Sequence, residues 1–171
     1  MPPLEWSAAL ALDLPVMDDT HREFVDLLAQ AGSADDSRLL QHWQALIEHT
    51  DDHFGREDQW MQNTGFSSSN CHSIQHKVVL QVMREGVTLG QAGDLAAVRQ
   101  MAHELGLWFA QHAQSMDAAL ALHLRGVGFD PASGVVHMPQ SLPRAVIQGC
   151  GGATCSDVPP ASVAAEEVAL A

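Results

Sequence analysis

Apolar residues recur at intervals of three, four and seven along most of the chain, the spacing that lines one face of an α-helix. Trp43, Leu46, Ile47, Phe54 and Met61 form one such stripe; Val98, Met101, Leu105, Trp108, Phe109, Met116, Leu120 and Leu124 form another. No proline falls between Pro15 and Pro131, so nothing breaks these stripes from within. Four helices are predicted. The first covers about 18–31, with Asp18 or Asp19 as its cap and Gly32 at its end. The second covers about 35–63 and closes at Asn63, Thr64 and Gly65. The run SSSN at 67–70 offers an N-cap to a third that reaches about Thr88, and Asp94 caps a fourth over about 94–124. Strand signals are absent. Short connections between four amphipathic helices imply an all-α, antiparallel up-down-up-down four-helix bundle, entered through a loop-like N-terminal arm at 1–17.

After Arg125 the stripe is lost. Residues 126–171 hold most of the prolines and nearly half of the glycines. The chain therefore divides into a bundle, 1–125, and an irregular, flexible C-terminal tail, 126–171, with a short frayed helix at Ser162–Leu170. Removing the tail from about Gly128 is expected to leave stability unchanged.

Charge narrows the function. Twenty-one acidic against eight basic residues give a net charge of −13, which repels phosphate backbones and anionic lipid, so neither nucleic acid nor membrane is an expected partner. No apolar run approaches the roughly 20 residues that span a bilayer. The opening MPPLEWSAALALDLP lacks a basic stretch and is broken by Glu5 and Asp13, so it does not read as a signal peptide. Cys71, Cys150 and Cys155 are too few for a disulfide framework; their odd number suits a reducing cytoplasm, and Cys71 reads as a small apolar filler. Ten histidines are the oddity of the composition, and they point towards metal.

Placed on the helices, the histidines fall into a pattern. His53 and Glu57 lie one turn apart on the second helix, about 40° around its axis. His72 and His76 share a face of the third. His21 opens the first, and His112 and Asp117 lie on the fourth. Side chains from four helices meet inside such a bundle, where imidazoles and carboxylates are tolerated if they coordinate a cation. His112 and Asp117 are five apart, about 140° on an ideal helix, which predicts either a widened π-type turn or an Asp117 side chain that swings back. His49, one turn before His53, is read as solvent-facing rather than as a neighbour of the ligands.

With these motifs in place, namely LEW at 4–6, MDDTHREF at 17–24, HFGRED at 53–58, CHSIQH at 71–76 and WFAQHAQSMD at 108–117, the chain resembles the hemerythrins, non-haem di-iron oxygen-binding proteins. The resemblance covers about residues 4–125. It implies two iron ions with a bridging hydroxide or oxide: His72, His76 and His112 on one, His21 and His53 on the other, and Glu57 and Asp117 on both. Counting bonds on that assignment leaves one position open, at the iron with two histidines. Phe24, Phe54 and Trp108 match positions that line the family's oxygen pocket, and Phe109 is a further candidate. The implied activity is reversible O2 binding for storage, delivery or sensing. Chemistry on peroxide or nitric oxide at the same site, or a regulatory module in which the tail docks an unidentified protein partner, are the alternatives.

Overall fold

The computed structural model describes residues 4–66 and 71–147. Four long rods make the fold: α1, Pro15–Ser33; α2, Leu39–Thr64; α3, Cys71–Gln91; and α4, Leu95–His112, which runs through a π-helical segment, Ala113–Asp117, into α5, Ala118–Gly126. Each rod packs on its neighbour in sequence, and α1 against α4 closes the ring, giving the expected bundle. No described helix is long and apolar enough to cross a membrane.

Local chemistry moves several helix ends from their expected places. Pro15, whose ring fixes φ near the helical value, starts α1 three residues early. Asp18 is therefore inside the first turn, where its Oδ1 accepts the Leu12 N–H of the arm at 2.7 Å instead of capping the helix. Gly32 does not stop α1, which continues to Ser33. Asp35 folds the connection into a turn, its Oδ1 accepting from Ser37 Oγ and the Arg38 N–H, and delays α2 to Leu39. At the far end of α2, Gly65 takes φ +71° as the left-handed cap, as its place in the sequence suggests. The expected N-cap at 67–70 lies outside the described residues. Asp94 caps α4 by accepting the Ala97 N–H at 3.0 Å.

Two apolar clusters fill the bundle. One gathers Phe24, Leu28, Trp43, Leu46, Met83, Val98, Leu105 and Phe109; the other gathers Met17, Trp60, Met61, Leu120 and Leu124. Gly86 lets α3 approach α2 closely: a Cβ there would stand 2.9 Å from Trp43 Nε1, which donates to the Met83 carbonyl.

The segment after Arg125 departs from the sequence reading. As far as Ile147 it is folded onto the end of the bundle, with Val127 and Phe129 buried in the second cluster and Val136, Leu142 and Ile147 packed against it. A two-residue antiparallel pair, Phe129–Asp130 with Val135–Val136, forms despite the absence of strand signals. The Ile147 N–H donates to the Gly65 carbonyl at 2.9 Å. These apolar residues are single and aperiodic, so they leave no stripe to read. Cys71 is disulfide-bonded, not an inert filler, and is the sole cysteine among the described residues. The expected helix at Ser162–Leu170 lies outside the described residues, as do Cys150 and Cys155.

Candidate metal centre

Between the two apolar clusters lies a polar layer. His21 enters it from α1, His53 and Glu57 from α2, His72 and His76 from α3, His112 from the last residue of α4, and Asp117 from the end of the π-helical segment. None is more than 2% exposed. All seven residues singled out by spacing are thus brought together. They form two groups whose donor atoms lie within 4.8 Å of one another: Glu57, His72, His76, His112 and Asp117 in one, His21, His53 and Glu57 in the other.

Both carboxylates divide their oxygens between the two sets of histidines. Glu57 Oε1 lies 3.1 Å from His53 Nε2 and 3.9 Å from His21 Nε2, while Oε2 lies 3.3 Å from His76 Nε2 and 3.5 Å from His72 Nε2. Asp117 Oδ2 is 3.4 Å from His21 Nε2; its Oδ1 is 3.0 Å from His72 Nε2 and 3.1 Å from His112 Nε2. The π turn makes the second arrangement possible. The Ala118 N–H reaches the Ala113 carbonyl, five residues back, so the extra residue between His112 and Asp117 is absorbed and both face inward. Of the two expected solutions to that spacing, the helix uses the widened turn.

The donor set fits a metal. Among the described residues, the buried side-chain atoms without a hydrogen-bond partner all belong to this layer: His21 Nδ1 and Nε2, His53 Nδ1, Glu57 Oε2, His72 Nδ1 and Nε2, and both Asp117 oxygens. Each such atom costs about 1–3 kcal/mol when left unsatisfied, so their convergence on one place makes sense only around cations. Protonation says the same. Burial disfavours the charged form of His21, yet the facing carboxylates of Asp117 and Glu57 outweigh it and hold the imidazole up at about 9. The same two carboxylates hold His72 up at about 10 against burial. Glu57 stays well below the usual carboxylate range despite its burial, held down by His53 and then by the other histidines around it. Asp117 is likewise depressed against burial and the Glu57 charge, chiefly by His112. The layer draws positive charge to its centre. Imidazole nitrogen with carboxylate oxygen suits iron, manganese or zinc, and two overlapping donor sets suit a pair of ions rather than one closed tetrahedral zinc.

Aromatic rings wall the layer. Phe24 stacks on Phe109 at 4.1 Å, and Phe109 turns its edge to His21 at 5.1 Å. Phe54 lies flat on His76 at 3.9 Å and beside His53 at 5.3 Å. Trp108, only partly buried, stacks on His112 at 4.4 Å. His49 is not solvent-facing as expected: it is largely covered, its Nε2 3.2 Å from the Thr20 carbonyl and its ring 6.2 Å from that of His53. Two polar neighbours of the layer escaped sequence reading, Asp58 beside His76 and Gln75 beside His112. Each adjoins a residue of the layer in sequence, about 100° off its face, where a search at helical spacing passes over it.

A four-helix bundle centred on a buried histidine and carboxylate cluster defines a metal-binding protein of the helical-bundle class. Residues 12–122 match the family model described as "Hemerythrin HHE cation binding domain", and the chain belongs to the hemerythrin family, whose members bind non-haem iron. It is 35% identical over 130 residues to the bacteriohemerythrin of Ralstonia nicotianae, a match covering 76% of this chain and 95% of that one. It is 24% identical over 120 residues to the bacteriohemerythrins of Pseudomonas paraeruginosa and Pseudomonas aeruginosa, covering 67% of this chain and 77% of theirs. No solved structure matches it at the same level of significance.

Proposed function

We propose that the protein holds two non-haem iron ions and binds O2 reversibly, for storage, delivery or sensing. The observation that carries this reading is the division of the Glu57 and Asp117 oxygens, one towards each set of histidines. In it, His72, His76 and His112 hold one ion, His21 and His53 the other, and the two carboxylates hold both. The ferrous pair, when bound, would supply the electrons that O2 uptake requires.

The chain's own residues shape what that pair can do. Three imidazoles against two leave the His21 and His53 side one donor short, which is where a diatomic ligand would bind. Phe109, with Phe24 stacked behind it, covers His21, and Phe54 lies beside His53 and on His76; each is at most 1% exposed, and together they exclude water. With water excluded, solvent protons are kept from the bound ligand, which favours release over reaction. The imidazole-rich set also carries less negative charge than a four-carboxylate site and supports high oxidation states less.

Anaerobic loading with ferrous iron, followed by cycles of O2 and vacuum, tests the reading. Two irons per chain and a visible absorption band that returns unchanged through repeated cycles are expected. Irreversible O2 consumption with oxidation of an added substrate would replace the carrier with an enzyme, and failure to take up paired iron would remove both.

A further inference from the structure

The Nε2 atoms of His76 and His112 face each other at 3.3 Å. What that contact means depends on the other nitrogen of each ring. His76 Nδ1 lies 3.0 Å from Asp58 Oδ1, a carboxylate oxygen that only accepts, so Nδ1 carries the proton. His112 Nδ1 lies 3.3 Å from Gln75 Oε1, and the same Gln75 atom is 3.2 Å from Trp108 Nε1. An indole N–H only donates, so the Gln75 atom between the two rings is the amide oxygen, and His112 Nδ1 is a donor as well. Both neutral rings therefore turn a lone pair inward. Two lone pairs at this separation repel unless a proton or a metal ion stands between them. By contrast, Nδ1 of His21, His53 and His72 has no hydrogen-bond partner.

We propose that Asp58 and Gln75 are positioning residues that select the Nδ1–H tautomers of His76 and His112 and thereby aim both Nε2 atoms at a single ion. The inference rests on the metal-centre reading and deepens it. The two acceptors act differently. Asp58 brings a negative charge, makes His76 the stronger electron donor, and stands in a surface pocket of about 260 Å³ that Asp51, Lys77 and Arg84 also line. Gln75 is neutral and is braced by Trp108, which is itself stacked on His112. Two of the three histidines in one half of the layer are thus fixed from behind, while His72 and both histidines of the other half are not.

The test uses the full chain with D58L, D58N and Q75L. Ferrous iron is the ion for affinity and reduction potential, and diamagnetic zinc is the probe for ¹⁵N spectra of the histidine rings. D58L and Q75L are expected to weaken binding of one of the two ions by about 10–100-fold, the usual cost of losing a hydrogen-bond partner behind a ligand. D58N, whose amide oxygen still accepts, is expected to recover most of that affinity while raising the reduction potential, because the charge that stabilises the ferric ion is gone. Wild-type spectra are expected to show protonated Nδ1 on His76 and His112, with the His76 signal changed in D58L and the His112 signal in Q75L. Leucine variants that bind both ions with unaltered affinity and ring spectra would overturn the proposal. If D58L does not fold, D58N still decides: a wild-type potential in it sinks the part given to the Asp58 charge. Should wild type take up no paired ions, the metal-centre reading itself fails; paired uptake with indifferent variants fells only the positioning role.

Discussion

Glu57 and Asp117 each reach both halves of the layer, so their loss is expected to differ in kind from the loss of a histidine that reaches one. Glu57→Ala or Asp117→Ala is expected to abolish paired iron, whereas His21→Ala is expected to keep one iron per chain and lose reversible oxygenation; iron analysis of purified variants separates the two patterns. Protonation adds a second expectation. His21 and His72 stand above the ordinary imidazole range in the metal-free protein, at about 9 and about 10, so both carry protons at neutral pH. An ion must displace them. Affinity should therefore rise with pH, by up to about tenfold per unit for each proton released, and level off only beyond pH 9 to 10. The sign for folding is opposite: the stabilisation these raised groups give the metal-free form is complete below an unfolded value near 6.5 and is lost as pH climbs through 9 to 10. Calorimetric titration in buffers of different protonation enthalpy counts the released protons, and chemical denaturation at pH 6.5 and 9.5 checks the second trend. At this scale the seven donors were legible because an inward histidine or carboxylate on an apolar stripe has few explanations. Asp58, Gln75 and His49 were not, since their partners are atoms of other helices that no spacing reveals.

The most informative element is the π-helical segment, Ala113–Asp117. His112 and Asp117 cannot share a face of an ideal helix, and the spacing alone therefore pointed either to a widened turn or to an Asp117 side chain that swings back. Choosing between that turn and a bent side chain required the backbone itself. Deleting Gln114 should remove the absorbed residue and return the segment to plain α-helix, with His112 and the aspartate four apart, about 40° around the axis, and everything beyond it in its present register. Asp117 then stays in the layer, and Leu120 and Leu124 stay in the second cluster. Retention of paired metal is the expected outcome, and a deletion variant that loses it would show that the widened turn does more than absorb the extra residue; inserting an alanine after Gln114 instead, which the turn cannot absorb, is expected to abolish it. Helix ends were less legible than helix interiors. Pro15 and Asp35 moved two of them through turn geometry, which competes with the apolar stripe and is not visible in it.

At the scale of the molecule, the bundle could be read from periodicity, but the packing of 127–147 could not. Phe129 is 6% exposed and meets the Trp60 ring at 6.4 Å. Phe129→Ala is accordingly expected to cost about 3 kcal/mol, read from urea denaturation, although the sequence suggested that everything from Gly128 onward is dispensable. The arrangement of the interior has a further consequence. The apolar groups on one side of the histidines and those on the other are joined through a stratum that, without its ions, is held by buried pairs of imidazolium and carboxylate. Such a protein is two small folding units sharing four struts. A bound pair of cations would convert them into one, since together the two ions would tie residues as far apart in the chain as His21 and Asp117 and couple the melting of either end to the other. Calorimetry is expected to resolve two overlapping transitions in the chelated protein and a single sharper one when the ions are restored.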